Sequence, residues 1–204
     1  MSNFKVIKVY PHGFASNSYI LTADGRTAVI IDPAEDRIFA LCKENGLECK
    51  YALLTHGHFD HIGGCGELFK NGVPIYCGAK EKELIFSKEY LSIFGGVSVP
   101  RFEISGLFAD GDEIELCGIK FKVLETPGHT AGSVTYLAGD CLFTGDTLFK
   151  GSVGRTDLPS GDFNKLLESV KKLCSLAGDY KVYCGHEADT KLEQERENNP
   201  YLNC

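Results

Sequence analysis

The stretch LLTHGHFDH, residues 53–61, places three histidines and one aspartate within six positions. The chain has six histidines in all, so half of them fall in one turn directly after an apolar run. His56, His58, Asp60 and His61 are spaced i, i+2, i+4, i+5. Residues two apart share a face in extended chain but not on a helix. His56 and His58 can therefore grip one ion if the segment leaving YALLT (51–55) stays extended. Asp60 and His61 then point elsewhere, toward a second ion. Imidazole nitrogen with carboxylate oxygen is a ligand set for zinc, iron or manganese.

The remaining histidines extend this pattern. FKVLETPGHTAGS places His129 just after an apolar strand, CLFTGDTLF places Asp146 at the end of another, and YKVYCGHE places His186 after the last. A surface histidine has no reason to prefer the ends of apolar strands. A sheet builds a site in this way, because rigid strands aim loop residues at a common point. His12, in YPHGFAS, lacks this context and reads as peripheral.

At 204 residues the chain suits a single domain, residues 1–204. Its 43% hydrophobic and 24% charged residues are ordinary for a soluble globular protein. The net charge of −7, without a run of Lys or Arg, disfavours nucleic acid and anionic membrane as partners. No apolar stretch approaches 18 residues and no signal-like segment opens the chain, so membrane spanning and export are not expected. Nine scattered cysteines with no C-x-x-C fit a reducing cytoplasm, where Cys serves as a small buried hydrophobe.

Strand-like runs dominate: FKVIKVY, NSYILT, TAVIID, YALLT, VPIYCG, then DEIELCGIKFKVLET as two strands around Gly118, SVTYLAG, CLFTGD and YKVYCG. TADGRT carries the Asp-Gly hairpin signal. Helices are expected in DPAEDRIFALCKENGL with Pro33 in the first turn, in DHIGGCGELFKNG, in AKEKELIFSKEYL, in the amphipathic FNKLLESVKKLCSL, and at the start of EADTKLEQERENNP. The pattern predicts a layered α/β (α+β) sandwich with little that looks like a regular βαβ repeat.

The motifs THGHFDH, TPGHTAGS, FTGDTLF and YCGHE, in this order and each with an apolar lead-in, resemble those of the metallo-β-lactamase-fold hydrolases. Within that superfamily they resemble the glyoxalase II-like (hydroxyacylglutathione hydrolase-like) enzymes. VIIDP at 29–33 adds a weaker match. The resemblance implies a four-layer αββα sandwich of two mixed β-sheets with metals at one edge. It implies that His56, His58 and His129 hold one ion and that Asp60, His61 and His186 hold a second. Asp146 would bridge them, and Asp32 would orient the histidine loop from behind. The expected cofactors are two divalent metal ions, zinc foremost, with iron or manganese as alternatives. Such ions can share a hydroxide of pKa roughly 7 as nucleophile. Asp60 is then the group best placed to move a proton, and no Ser-His-Asp arrangement is needed.

The expected substrate is a small acyl thioester, with another ester or a lactone as the alternative for a hydrolase of this fold. The chain departs from glyoxalase II proper in two respects. Only eighteen residues follow His186, where that family carries a helical glutathione-binding region. After FTGDTLF, KGSVGRTDLP puts Arg155 where a Lys contacts glutathione, and Asp157 where a Tyr does. Arg155 is thus the candidate contact for an anionic substrate group. GRTDLP and the ending EQERENNPYL resemble a shorter, single-domain subgroup. The nearest rival is a persulfide dioxygenase of the same fold, which shares a G-R-T-D stretch. It would hold one iron with His56, His129 and Asp146, but it ends in His-Asp-Tyr where this chain reads GHEADT. A non-catalytic metal-binding domain is disfavoured because all seven candidate ligands are present.

Overall fold

A computed structural model of the chain describes residues 3–87 and 101–202. Successive side chains on a strand face opposite sides, and in β3 (Thr27–Ile31) both sides are apolar. Ala28 and Ile30 enter one core cluster, while Val29 and Ile31 enter another. β2 (Ser18–Thr22) and β4 (Glu48–Leu53) divide in the same way. With β1 (Lys5–Val9), β5 (Ile75–Gly78) and β6 (Gly106–Phe108) they form one sheet in sequential order.

In the second sheet β10 (Cys141–Gly145) sends Cys141 and Phe143 inward and Leu142 outward. β13 (Lys181–Cys184) sends Tyr183 inward and Val182 and Cys184 outward. Its other strands are β7 (Glu113–Leu116), β8 (Ile119–Glu125), β9 (Val134–Ala138) and β14 (Thr190–Lys191), in the order β14-β13-β10-β9-β8-β7. A short hairpin, β11 (Leu148–Phe149) with β12 (Ser152–Val153), stands beside it. Helices α1 (Arg37–Glu44), α2 (Phe59–Ile62), α3 (Cys65–Lys70) and α4 (Glu81–Ile85) cover the outer face of the first sheet through Ile38, Ile62, Leu68 and Ile85. Helices α5 (Phe163–Cys174) and α6 (Leu192–Asn198) cover the second through Leu166, Val170, Leu173 and Leu192. The result is a four-layer αββα sandwich, and both sheets are mixed.

Three local expectations change. The first helix begins at Arg37, so Pro33 lies ahead of it rather than in its first turn. The helix expected over 60–72 is split into α2 and α3 at Gly63 and Gly64. There a Cβ on either glycine would collide with the carbonyl oxygen of Ala34 or Glu35. Third, β3, β4, β5 and β6 are mutually parallel with helices in their connections, so a βαβ array is present after all. Gly-broken and short helices had hidden the repeat. Part of the expected 79–91 helix lies outside the described residues. The eight described cysteines form no disulfide, and six are buried.

Strand directions decide where the loops meet. β3 and β4 run parallel, so Asp32 and the 54–61 segment leave from one edge. β8 is antiparallel to β9, β9 to β10, and β10 is parallel to β13. The loops after β8, β10 and β13, with His129, Asp146 and His186, therefore share an edge of the second sheet. Val134 N–H donates to Thr55 O at 2.8 Å and Asn17 N–H to Gly185 O at 2.7 Å, tying the two edges together.

Candidate metal centre

Where the two edges meet, the structure brings all seven candidate ligands together. His56, His58 and His129 form one group, His56, His61 and Asp146 a second, and Asp60, His61 and His186 a third. Within each group the potential ligand atoms lie within 4.8 Å of one another. His56 and His58 sit on non-helical chain beyond β4, and His58 is extended at φ −62°, ψ 145°. Asp60 and His61 lie on α2, which turns them to the other side of the group. The His56–His58 pair thus sits on non-helical chain, and the helix begins at the second pair of candidate ligands.

The supports fix which ring atoms face inward. Asp32, at φ 49°, follows β3 and is buried. Its Oδ1 accepts from Thr55 N–H at 2.7 Å, and its Oδ2 from Thr55 Oγ1 at 2.6 Å and His61 Nδ1 at 2.9 Å. With the Thr55 proton directed at Asp32, the Thr55 oxygen accepts from His56 Nδ1 at 3.1 Å. His129 Nδ1 donates to the Arg155 carbonyl at 2.7 Å. Each ring therefore turns its Nε2 lone pair into the site. His129 Nε2 and His58 Nδ1 are 2.7 Å apart, so a proton or an ion must lie between them.

Asp146 lies at the centre. Its Oδ1 is 3.3 Å from His61 Nε2, and its Oδ2 is 3.5 Å from both His129 Nε2 and His186 Nε2. His186 Nε2 donates to Asp60 Oδ2 at 3.1 Å. Asn17 Nδ2 and Tyr19 Oη both donate to the Cys184 carbonyl, holding the chain that delivers His186.

Burial pushes His56 well down, with His61 and His129 adding repulsion, and pushes His58 down to about 3. Burial also lowers His129. Burial alone would raise Asp60 and Asp146, but the surrounding imidazoles outweigh it and both carboxyls are lowered. Burial disfavours a charged His61, yet Asp146, Asp32 and Asp60 together raise it well above its ordinary value. His186 is raised chiefly by its hydrogen bond to Asp60. His56, His58 and His129, held neutral beside ionised Asp60 and Asp146, are in the state that binds metal, whereas His61 and His186 would give up a proton as an ion binds. His56 Nε2 is buried with no hydrogen-bond partner, and Asp146 Oδ1 and His61 Nε2 face each other without hydrogen-bond geometry. Buried polar atoms left in this condition are costly unless an ion meets them, so the donor set fits divalent metal.

The site floors a cavity of about 1160 Å³ whose walls include Phe14, Phe59, Phe149, Lys150 and Arg155. The Arg155 guanidinium pairs with Asp157 through two 2.7 Å contacts. His12 lies apart, exposed, 3.4 Å from Glu35. Sequence reasoning did not find Thr55, Glu81 or the Arg155 carbonyl. Threonine, a glutamate among surface charges and a main-chain oxygen carry no distinguishing mark in sequence.

The metallo-β-lactamase superfamily model matches residues 12–186. A curated relative, hydroxyacylglutathione hydrolase GloC of Haemophilus influenzae, is 35% identical over 98% of this chain and 98% of its own. Among solved structures, the BLEG-1 B3 metallo-β-lactamase is 34% identical, with a TM-score of 0.89 over 98% of this chain and 100% of that one. TTHA1623 in a di-iron-bound form is 34% identical, with a TM-score of 0.84 over 97% of this chain and 100% of that one. The family match, the αββα architecture and the clustered His and Asp ligands agree: this chain belongs to the metallo-β-lactamase superfamily.

Proposed function

We propose that the protein is a two-metal hydrolase of small acyl thioesters, in the glyoxalase II-like branch of the superfamily. The observation that carries this reading is the overlap of the ligand groups. Seven donors exceed what one tetrahedral ion takes, and Asp146 lies between the two ends, its Oδ1 beside His61 and its Oδ2 equally near His129 and His186. The full-length similarity to a hydroxyacylglutathione hydrolase supports the thioester, and the di-iron neighbour supports two ions.

His56, His58 and His129 would hold one ion, Asp60, His61 and His186 the other, with Asp146 between them. Zinc, iron and manganese all suit these donors. Bound there, the ions supply an activated water at neutral pH and polarise the acyl carbonyl. Asp60, half-buried at the cavity floor, is placed to take the proton that the attacking water gives up. Water adds to the acyl carbon, the C–S bond breaks, and the sulfur leaves with the bonding pair. A thiolate departs readily because its pKa is only about 8.5. The Arg155–Asp157 pair is exposed, and such pairs are worth about 1 kcal/mol or less, so a substrate carboxylate can replace Asp157.

The test is metal analysis of protein purified without added metal, with steady-state assays on S-lactoylglutathione and on a thioester of another small thiol. Two ions per chain and turnover are expected, with a high KM for the glutathione ester or better turnover of the other. Arg155→Ala should raise KM more than it lowers kcat. One iron per chain with oxygen consumption on glutathione persulfide, or hydrolysis confined to a β-lactam, would overturn the reading.

A further inference from the structure

Glu81 is a fully buried acid with no assigned role. It opens α4, and its neighbours Lys80, Lys82 and Glu83 are exposed. Among the described residues no lysine or arginine pairs with it. A carboxylate taken from water without a cation must be met by hydrogen-bond donors, and those donors come from two separate loops. Oε1 accepts from Gly57 N–H at 2.7 Å, and Gly57 lies between His56 and His58. Oε2 accepts from Thr130 Oγ1 at 2.7 Å, and Thr130 follows His129. Gly132, in the same loop, brings its main-chain N–H close to the same carboxyl. Thr130 Oγ1 is 2.7 Å from Ser133 Oγ, which extends the network along that loop. The approach is close on both sides: a Cβ on Gly57 would press on Ile85 and Glu81, and one on Gly132 would press on Glu81 itself.

The three histidines on these loops are the members of one ligand group. Asp32 serves the other end of the site directly through His61 and reaches His56 only by way of the Thr55 hydroxyl. Each half of the metal centre thus has its own buried carboxylate behind it.

We propose that Glu81 is the positioning residue of the three-histidine end of the site. By accepting from Gly57 on one side and Thr130 on the other, it fixes the separation between the His56–His58 loop and the His129 loop. The inference rests on the two-metal reading. It requires an acid, because Gly57 and Gly132 present main-chain donors that cannot be reversed. A glutamine offers one acceptor and one donor, so one loop is released.

The experiment compares wild type, Glu81→Gln, Thr130→Val, the double variant and Leu173→Ala, a core change on α5 that lowers stability away from the site. Metal affinity is read by competition with a chromophoric chelator, and the three-histidine ligand field by the absorption of the cobalt-substituted protein. Circular dichroism checks the fold. Glu81→Gln is expected to weaken one of two ions about 10–100-fold, the size usual for groups behind metal ligands, while the other ion is retained. Thr130→Val, which removes only a hydroxyl, should weaken the same ion, and the double variant should lose little more than Glu81→Gln alone. Leu173→Ala should lower Tm and leave both affinities unchanged. If Glu81→Gln and Thr130→Val bind both ions as wild type does, or if Leu173→Ala weakens the same ion equally, Glu81 is no positioning residue, although the two-metal reading stands. A wild-type protein that binds no second ion would instead remove that reading, and this inference with it.

Discussion

Asp32→Asn should disable His61 as a ligand without disturbing the fold. Asparagine tolerates positive φ as aspartate does, so the φ of 49° at this position raises no obstacle. The side chain keeps its size but offers one acceptor where three donors converge. Thr55 N–H is a fixed donor, 2.7 Å from Oδ1, and claims the amide oxygen. The amide NH2 then occupies the place of Oδ2 and faces His61 Nδ1, 2.9 Å away in wild type. His61 can accept that hydrogen bond only by moving its own proton from Nδ1 to Nε2. Nε2 is the atom that faces Asp146 at 3.3 Å, and once protonated it cannot bind a metal. If the tautomer holds instead, a buried donor faces a donor. Either outcome costs about 1–3 kcal/mol, which at about 1.4 kcal/mol per decade means roughly a 5- to 150-fold loss of affinity at the Asp60–His61–His186 end. Chelator competition monitored ion by ion measures this, and the metal-free protein should keep its circular dichroism spectrum. An Asp32→Asn protein that holds both ions within about twofold of wild type would refute the tautomer argument.

Four further outcomes follow from the geometry. Asp146→Ala should cost more metal than any single His→Ala, because it leaves two adjacent cations without the carboxylate between them; metal content per chain after dialysis checks it. Gly185→Ala should expel metal from a folded protein, since the added methyl runs into Asp146 Oδ1 and His61; mass-spectrometric metal counting beside a normal circular dichroism spectrum would show it. Glu195→Ala removes the acceptor for Gly151 N–H, Thr190 Oγ1 and Asn199 Nδ2. The Thr190 hydroxyl left buried costs about 1–3 kcal/mol, and the β11–β12 turn, loosened where Gly151 loses its acceptor, carries Lys150 of the cavity wall, so Tm should fall and KM should rise more than kcat falls. Asp24 is held at about 2 by the main-chain N–H groups of Thr27 and Arg26. A depressed carboxyl stabilises above its unfolded pKa and loses that contribution as pH falls through the folded one. Asp24→Ala should therefore melt below wild type at pH 7, and the gap should close between about pH 4 and about pH 2.

The strands at the centre of each sheet were legible because their burial writes a period into the sequence. β8 alternates inward and outward, and β3 and β10 are continuously apolar since both of their faces are covered. β6, β11, β12 and β14 were not read, and their two or three residues are too few to carry a period. The parallel order of β3 to β6 was missed for a related reason: α2 and α3 are broken where Gly63 and Gly64 pass against the chain at Ala34 and Glu35. That contact belongs to the tertiary structure and looks in the sequence like a loop.

The same division runs through the site. The ligands stand out because histidine is scarce here and its placement after apolar strands is hard to explain otherwise. Their supports are drawn from common residues whose roles exist only once the chain is folded. Glu81 sits 24 residues from Gly57 and 49 from Thr130, and in sequence it belongs to a run of charges that looks solvated. Arg155 stood out for its guanidinium, yet the contact it makes with the candidate ligands is through its carbonyl, to His129. Asp32 was within reach only because VIIDP resembles a segment of the family; the residues by themselves do not mark it as a support. The supports most open to surprise are therefore those on ordinary helices and turns. Among these, Glu81 braces both loops of one ligand group.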